Sequence, residues 1–154
     1  MASAVYGLTN REEEFIMAVS VKNVTIWRKE VPHQSGQLAA ALRPLKEAGA
    51  NLQVIMTYAE GSHGIVEIGP ISGKKVTEAA KQAGFAPTSK PTLLVIGDDR
   101  PGLGYEIASA IAARGINISF DVTQVIGKKY ASVYGFSSEE EATAASAAIK
   151  KAGR

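Results

Sequence analysis

The pattern of hydrophobic and polar positions in the second half of the chain predicts a strand that leads into a helix. Residues 92 to 96 form a short apolar run rich in β-branched side chains, and Pro101 and Gly102 follow it with residues typical of a turn. From residue 103 to residue 114, apolar positions recur at spacings of three and four residues, as expected of an amphipathic helix. Gly115 stands where a left-handed residue ends many helices, so we expect the helix to end there.

The pattern then changes to a partial alternation of apolar and polar residues. Residues 116 to 126 and 130 to 136 alternate in this way on either side of a Gly-Lys pair, which predicts a β-hairpin. Ser138 and Glu141 have the spacing of a capping box, in which the two residues satisfy each other's backbone N–H groups at the start of a helix. They predict an alanine-rich helix that continues to about residue 151.

The first half of the chain shows the same order of patterns. Its predicted elements are a strand over residues 24 to 31, a helix over 35 to 48, hairpin strands over 52 to 58 and 65 to 68, and a helix over 72 to 83. Pro44 lies inside the first of these helices. Because proline in a helix interior costs about 3 kcal/mol, the sequence predicts either a kink or a late helix start there.

Identical residues 66 positions apart indicate that the two halves are copies of one unit. The matched pairs are Gly36 and Gly102, Gly49 and Gly115, Asn51 and Asn117, Thr57 and Thr123, Gly61 and Gly127, Ser72 and Ser138, Thr77 and Thr143, and Ala79 and Ala145. A unit of this size buries only about 60% of the surface of its unfolded chain. We therefore expect each copy to associate with the other or with a second chain.

The order strand, helix, strand, strand, helix, strand predicts an α+β fold of two ferredoxin-like βαββαβ units in tandem, each with an antiparallel sheet and both helices on one face. The repeat suggests an N-terminal extension over residues 1 to 20, a first unit over 21 to 87 and a second unit over 88 to 154. The fourth strand of the first unit is predicted at residues 85 to 87. The second unit reaches Arg154 where its own fourth strand would begin, and residues 15 to 21, whose apolar positions alternate, are the predicted substitute.

Composition narrows the classes of function. Of 154 residues, 45% are hydrophobic and 21% charged, as in ordinary globular proteins, and the net charge of +2 comes from scattered basic residues that leave no nucleic-acid footprint. Cysteine is absent, which excludes disulfides and thiolate catalysis. Residues 1 to 16 lack the pattern of a secretory signal, and three interpretations stay open for them: an extension before the repeat, an alternative start, or a remnant of cloning. No apolar stretch has the length of a membrane span, so we expect a cytoplasmic protein with no membrane partner.

Side chains that could support catalysis or metal binding are scarce. His33 and His63 are the two histidines, and neither has a partner at the spacing of a metal site or of a general base. The sequence contains no phosphate-binding loop and no dinucleotide-binding fingerprint. We therefore expect a chain that is not an enzyme, with no catalytic residues, metal or cofactor.

An RNA-recognition module shares the predicted order of elements, and residues 128 to 136 are superficially like its aromatic strand. Lys129 stands where that signature needs glycine, and Ser132 stands where it needs an aromatic residue. We therefore expect no nucleic-acid partner. The aromatic residues of this segment are interpreted as one packed face of a strand: Tyr130, Tyr134 and Phe136.

The turn before the first helix of the second copy is the best candidate for a binding site. Backbone N–H groups at a helix N-terminus are unpaired and attract anions, so this turn could hold a carboxylate. Asp99 could receive an ammonium group, Gly102 would allow a ligand close to the backbone, and Asn117 offers both a donor and an acceptor. The same residues could instead cap the helix and shape the loops, so their local chemistry leaves both interpretations open.

The segments Asp99-Arg100-Pro101-Gly102-Leu103 and Gly115-Ile116-Asn117-Ile118 resemble the hallmark of ACT domains, which are small βαββαβ modules that bind amino acids and regulate metabolism. The resemblance spans about residues 20 to 153 and is stronger in the second copy. It implies that domains pair, often side by side, with ligand held between the first loop of one domain and strand residues of its neighbour. The ligand contacts that it implies are Asp99, Arg100, Gly102, Leu103 and Asn117.

The first copy departs from this hallmark. Its equivalent loop has the sequence His33-Gln34-Ser35-Gly36-Gln37, so Asn51 remains but the carboxylate that would meet an ammonium group is missing. Three interpretations stay open for this loop: an empty site, a site for a different ligand, or a set of interface contacts. The residues concerned are His33, Gln34, Gly36 and Asn51.

The sequence thus predicts a non-catalytic regulatory protein that binds a small effector at ACT interfaces and signals to a partner. The resemblance implies that the effector is a free amino acid. A homo-oligomer is expected, and a metabolic enzyme is a candidate partner. The alternative is a regulatory or assembly subunit of a metabolic enzyme that acts through protein contacts without binding a ligand; a cryptic enzyme or an RNA-binding protein is the least favoured hypothesis.

Overall fold

A computed structural model describes residues 18 to 154, and these residues form two antiparallel sheets and four helices. In chain order the elements are β1 (Ser20–Val24), β2 (Trp27–Pro32), α1 (Gln37–Glu47), β3 (Val54–Glu60), β4 (His63–Gly69), α2 (Lys74–Gln82), β5 (Ala86–Pro87), β6 (Thr92–Asp98), α3 (Leu103–Ala112), β7 (Phe120–Ile126), β8 (Lys129–Gly135) and α4 (Glu139–Ala152). One sheet has the strand order β3-β4-β2-β5, and the other has the order β1-β6-β8-β7. The predicted α+β class is therefore confirmed, with the βαββαβ order of elements and helices against each sheet.

The segment predicted as the first strand of the first copy, residues 24 to 31, is two strands in the structure. That prediction is wrong because β1 ends at Val24 and pairs with β6, whereas β2 begins at Trp27 and pairs with β4 and β5. The chain passes from one sheet to the other at Thr25 and Ile26. Residues 21 to 24, which the repeat assigns to the first unit, are therefore paired with the second sheet.

The second sheet takes its fourth strand from the start of the described chain. The strand β1 overlaps the predicted substitute, residues 15 to 21, at Ser20 and Val21, and residues 15 to 17 lie outside the described part of the chain. Close packing holds this segment in place: the N–H of Val19 donates to the carbonyl of Gly153 at 3.2 Å, and the side chain of Val21 packs against the core of the second unit. The first sheet is completed as predicted, by the short strand β5 beside β2.

Two elements begin later in the structure than the sequence predicted. The strand β7 begins at Phe120 rather than at residue 116, because Ile116 and Ile118 cover the end of the second core instead of extending the sheet. The helix α1 begins at Gln37, and this small delay still leaves Pro44 in its interior. The predicted late start therefore does not place this proline in the first turn. Because Pro44 has no N–H, the carbonyl of Ala40 lacks its usual helical donor, and Ala40 is exposed.

Each unit has its own core between its sheet and its two helices. Burial of a large apolar side chain contributes roughly 1.5–3 kcal/mol, so cores of this kind account for most of the driving force for folding. The first core contains Trp27, Val31, Ala41, Leu45, Val66, Ile68, Ala80 and Phe85. The second core contains Leu93, Val95, Leu103, Ile107, Ile111, Tyr130, Tyr134, Phe136 and Ile149, among others.

A third apolar cluster joins the two sheets to each other. Side chains alternate between the faces of a strand, so Leu94 and Val133, a cross-strand pair, point away from the helices that cover Leu93 and Tyr134. They pack with Val54 of the first sheet and with Val24 and Ile26, which lead from one sheet to the other. Met56 of the first sheet and Phe120 of the second lie against this cluster. The two units therefore meet through the sheet faces that carry no helices.

Candidate functional site

The loop predicted to bind ligand in the second unit is well ordered by its own backbone. Gly102 is the N-cap of α3 with a φ of 84°, a left-handed conformation that glycine adopts at little cost. The N–H of Asp99 donates to the carbonyl of Lys128 at 2.8 Å, which places this loop beside the turn between β7 and β8. Because the N-cap residue is a glycine, it makes no side-chain hydrogen bond to the first turn of α3.

The guanidinium of Arg100 is engaged within the unit. Its Nη2 contacts the carboxylate of Glu106 in the first turn of α3, and it also donates to the carbonyl of Ala152 at 2.8 Å, at the end of α4. The side chain therefore ties the start of one helix to the end of the other. An arginine held in this way is a structural link, and a ligand would have to compete with Glu106 for it.

The space behind this loop is filled by aromatic side chains. Leu103 is 1% exposed and Tyr130 is 2% exposed, and the hydroxyls of Tyr130 and Tyr134 lie 2.6 Å apart. Burial raises the pKa of Tyr134 well above that of an exposed tyrosine, and its hydrogen bond to Tyr130 adds to the increase. The interpretation of these aromatics as a packed face is thus confirmed.

Asn117 lies at the other end of the second unit from Asp99 and Gly102. It precedes β7, whose entry is fixed by a hydrogen bond from the N–H of Ser119 to the carbonyl of Gly135 at 2.8 Å, next to the start of β6. The loop of Asp99 follows the end of β6, seven residues further along that strand. Because a strand rises about 3.3 Å per residue, roughly 20 Å separate the two places. Within one unit, the structure does not bring Asn117 and Asp99 together.

The equivalent loop of the first unit opens onto a pocket of about 270 Å³. Its polar lining comes from His33 and Gln34 in the loop, Gln37 at the start of α1, and Thr57 on β3. The other lining residues are Val31, Pro32, Leu38, Tyr58, Ala59, Gly64, Ile65 and Val66. The structure therefore brings together His33 and Gln34, which the sequence identified, with Gln37 and Thr57, which it did not.

The pocket exists because three positions of the repeat differ between the copies. At the offset of 66 residues, Gln37 corresponds to Leu103, Leu38 to Gly104 and Gly64 to Tyr130. The Tyr130 ring lies beside Gly104, where an added Cβ would be 4.0 Å from it. In the first copy, glycine at position 64 removes that ring, and a polar side chain replaces the buried Leu103. Alignment of the two copies shows these three differences, but only the fold shows that the three positions face one another.

The backbone at this pocket favours an anion. Gly36, with a φ of 85°, is the N-cap of the eleven-residue helix α1; no side chain caps this end, and its first turn contains no acidic residue. The N–H of Gln37 donates to the carbonyl of Gln34 at 3.4 Å. The other N–H groups at the start of a helix lack helical acceptors and lie at the positive end of the helix dipole. Asn51, the remaining predicted contact of this unit, is exposed and lies before β3, at the other end of α1.

Metal-ligand clusters and membrane-spanning helices are both absent from the described residues. Residues 18 to 154 contain no group of three or more His, Asp or Glu side chains that could hold a metal ion. Among the same residues, no helix has the length and apolar character needed to cross a membrane.

No family model matches the sequence, and no curated protein matches it. Solved structures do resemble the fold. A protein from Bacteroides thetaiotaomicron superposes with a TM-score of 0.69 at 15% identity, over 85% of this chain and 98% of that chain. The ligand-free regulatory subunit of aspartate kinase from Thermus thermophilus gives a TM-score of 0.62 at 18% identity, over 90% and 99%. E. coli aspartokinase III in complex with lysine and aspartate gives 0.52 at 10% identity, over 90% of this chain and 33% of that chain.

At these identities the similarity concerns the fold alone. The match extends over nearly the whole of the Thermus thermophilus subunit, so it includes both sheets and their helices. The chain therefore has the α+β fold of the regulatory subunit of aspartate kinase.

Proposed function

We propose that this chain is a non-catalytic regulatory protein that binds a free amino acid at the start of α1 and transmits its occupancy to a partner protein. The observation that carries the proposal is the pocket at the start of α1, which is lined by His33, Gln34 and Gln37 in one unit and filled by Tyr130 and Leu103 in the other. We therefore assign ligand binding to the first unit, whose pocket is open, and a structural role to the second unit, where the same space is filled.

The chemistry of the pocket suits the carboxylate of an amino acid. The uncapped first turn of α1 offers backbone N–H groups, and the amides of Gln34 and Gln37 add donors. The lining residues include no Asp or Glu. The ammonium group must therefore find its acceptors elsewhere, and the resemblance to ACT domains implies that a neighbouring domain supplies them.

Pairing with a second copy would supply that neighbour. The strand β3 borders the pocket and is one of the two outer strands of its sheet, so one of its edges has no partner within the described chain. The strand β7 is one of the two outer strands of the other sheet and carries three exposed apolar side chains, Val122, Val125 and Ile126. We therefore propose a homo-oligomer in which outer strands meet.

The second loop remains a proposal of its own. Asp99 and Gly102 lie far from Asn117 within one unit, and we propose that they approach the Asn117 of a second chain in the oligomer. Arg100 and Leu103, which the resemblance also implied as contacts, are held by Glu106 and by the core. We therefore give the first unit priority as the binding unit.

The similar structures support a metabolic enzyme as the partner. One of them is a regulatory subunit of aspartate kinase, and another is an aspartokinase in complex with lysine and aspartate. A ligand that binds the paired state more tightly than the unpaired state shifts this equilibrium, and couplings of this kind are typically about 1–3 kcal/mol.

Thermal unfolding of the full chain with each of the twenty amino acids tests the proposal. A ligand at 100 times its Kd adds about 2.7 kcal/mol, which corresponds to a rise of several degrees in Tm for a chain of this size. We expect one amino acid, or a few related ones, to raise Tm. Gln37→Leu, which introduces the residue of the second copy, should abolish the rise and leave the Tm of the free protein nearly unchanged.

Lys46→Gln is the matched control, because Lys46 is exposed near the other end of α1 and should leave the ligand effect intact. If Asp99→Ala or Asn117→Ala abolishes the rise while Gln37→Leu does not, the ligand binds at the second loop and the pocket of the first unit is not the site. If no amino acid raises Tm, the alternative of an assembly subunit that binds no ligand is favoured.

A further inference from the structure

A cleft lies between the two units, beside the apolar cluster that joins their helix-free sheet faces. Its volume is about 490 Å³, within the range of roughly 300–1,000 Å³ that is usual for small-molecule sites. The first sheet contributes Met56, the crossover between the sheets contributes Ile26, and β7 contributes Phe120 and Val122. The cleft is therefore apolar at its base and uses residues of both units.

Polar groups surround this base. The linker between the units lines the cleft with Thr88, Ser89 and Lys90, and Ser119 adds a hydroxyl from the second unit. The ammonium group of Lys90 lies 5.8 Å from the centroid of the Phe120 ring. A cation above an aromatic ring is held next to the apolar surface, where the charge of a ligand could reach it.

The second cation of the cleft is Arg28 on β2. Its Nη2 makes two long contacts, at 3.4 Å to Glu30 and 3.3 Å to Glu60, whereas its Nε is buried without a hydrogen-bond partner in the described part of the chain. Because Nε itself is buried, a ligand would meet this guanidinium at its terminal nitrogens, where charge-assisted hydrogen bonds are usually shorter than the two contacts to Glu30 and Glu60.

The carboxylate among the lining residues, Glu67, already has partners. Burial raises the pKa of this carboxyl above its usual value, whereas the charges of Arg28 and Lys90 and an interaction with the Tyr58 hydroxyl lower it. The lining thus contains two cations and one carboxylate, and Arg28 is also paired with Glu30 and Glu60, which lie outside the lining. Lys90 is therefore the main positive charge that a ligand in the cleft would meet.

We propose that this cleft is a binding site for a small organic acid with an apolar ring or branched side group, whose carboxylate is held by Lys90 and Arg28 while its apolar part rests on Phe120, Met56 and Ile26. Because the cleft is shared by the two units and their linker, such a ligand would hold the units in one relative orientation. The site is separate from the pocket at the start of α1, which lies on the helix-bearing side of the first sheet and shares Tyr58 alone with the lining of the cleft.

Isothermal titration calorimetry on the full chain tests this site with three matched compounds: 3-phenylpropionate, its uncharged amide, and L-phenylalanine. We expect 3-phenylpropionate to bind with one site per chain, the amide to bind about tenfold more weakly through loss of the charge-assisted contacts, and phenylalanine to bind no more tightly than 3-phenylpropionate. Lys90→Gln should weaken 3-phenylpropionate about tenfold, since it removes a charge from an exposed residue without disturbing a core.

Val122→Glu is a second variant, at a residue that is 42% exposed and tolerates a polar side chain; its negative charge at the edge of the cleft should also weaken binding. Lys150→Gln, an exposed cation on α4, is the matched control and should bind as the unmodified chain does. Gln37→Leu should also bind normally, which separates this site from the amino-acid pocket. The proposal is overturned if millimolar 3-phenylpropionate does not bind, if the amide binds equally well, or if Lys90→Gln leaves the affinity unchanged.

Discussion

Single residues decide how the two copies of the repeat differ. Gly64 leaves open a pocket that Tyr130 fills in the other copy, and Gln37 presents a polar group where Leu103 is buried. The conserved positions of the repeat are those with special backbone requirements, such as Gly36 and Gly102, both with a φ near 85° at a helix start. Aligning the copies identifies which residues differ, but not which of them point into the same space.

The pair of buried tyrosines leads to a prediction at alkaline pH. Burial raises the pKa of Tyr134 in the folded state above its unfolded value near 10, so the folded chain keeps a proton that the unfolded chain loses. The stability that this proton linkage contributes is complete below about pH 10 and is lost as the pH rises further, at about 1.4 kcal/mol per pH unit for one group. Tyr134→Phe should remove this part of the pH dependence of the free energy of unfolding.

Urea unfolding at a series of pH values from neutral to alkaline measures the effect. At neutral pH the variant should lose about 1 kcal/mol, since the Tyr130 hydroxyl loses its partner. Tyr105→Phe is the matched control, because Tyr105 is 78% exposed and should leave the pH dependence unchanged. Equal alkaline slopes for Tyr134→Phe and the unmodified chain would contradict the prediction.

At the scale of elements, the strand β1 is the main departure from the sequence pattern. A continuous β-rich segment was predicted as one strand, but the structure divides it between two sheets at Thr25 and Ile26. The reason is the edge of β6: this strand pairs with β8 on one side, and β1 pairs with it on the other. The helices and hairpins were predicted well because their periodicity is local, whereas the pairs between β1 and β6 join residues 68 to 76 positions apart.

The close contact between Gly97 and the segment before β1 allows a test of this strand exchange. A Cβ at Gly97 would lie 2.8 Å from the Cα of Val19, so Gly97→Ala should displace this segment and cost about 1–3 kcal/mol. Gly104→Ala is the matched control, because its Cβ would meet only the Tyr130 ring at 4.0 Å and alanine favours the helix. Urea unfolding, with hydrogen exchange of residues 20 to 24, measures both changes; equal stability of the two variants would show that the segment is not held at Gly97.

For the whole molecule, the two units are joined through their helix-free sheet faces, and the outer strands β3 and β7 are left at the rim. The apolar side chains Val125 and Ile126 of β7 are 51% and 70% exposed. Exposed apolar groups on an outer strand favour association with another chain. The sequence predicted that each copy associates with the other copy or with a second chain. The two copies contact each other in the structure, and association with a second chain stays a prediction.

We predict that the chain forms a dimer or larger homo-oligomer through β7. Val125→Lys combined with Ile126→Lys should convert it to a monomer, because lysine on an outer strand opposes strand pairing between chains. Sedimentation equilibrium measures the mass of each protein, with Thr143→Lys, at an exposed position on α4, as the control that should keep the oligomer. A monomeric unmodified chain, or an oligomer that survives the double substitution, would contradict the prediction.

The sequence by itself determined the α+β class and the packed face of Tyr130, Tyr134 and Phe136, because both follow from periodicities that act over a few residues. The identical residues 66 positions apart indicated a duplicated unit. The sequence also singled out the loops before α1 and α3 as candidate sites. Only the tertiary structure decided where the chain passes from one sheet to the other, that Asn117 lies far from Asp99 within a unit, and that the open pocket belongs to the first unit. These outcomes depend on which distant residues share one space, and the size of a side chain such as Tyr130, opposite Gly64 in the other copy, then determines whether that space is open or filled.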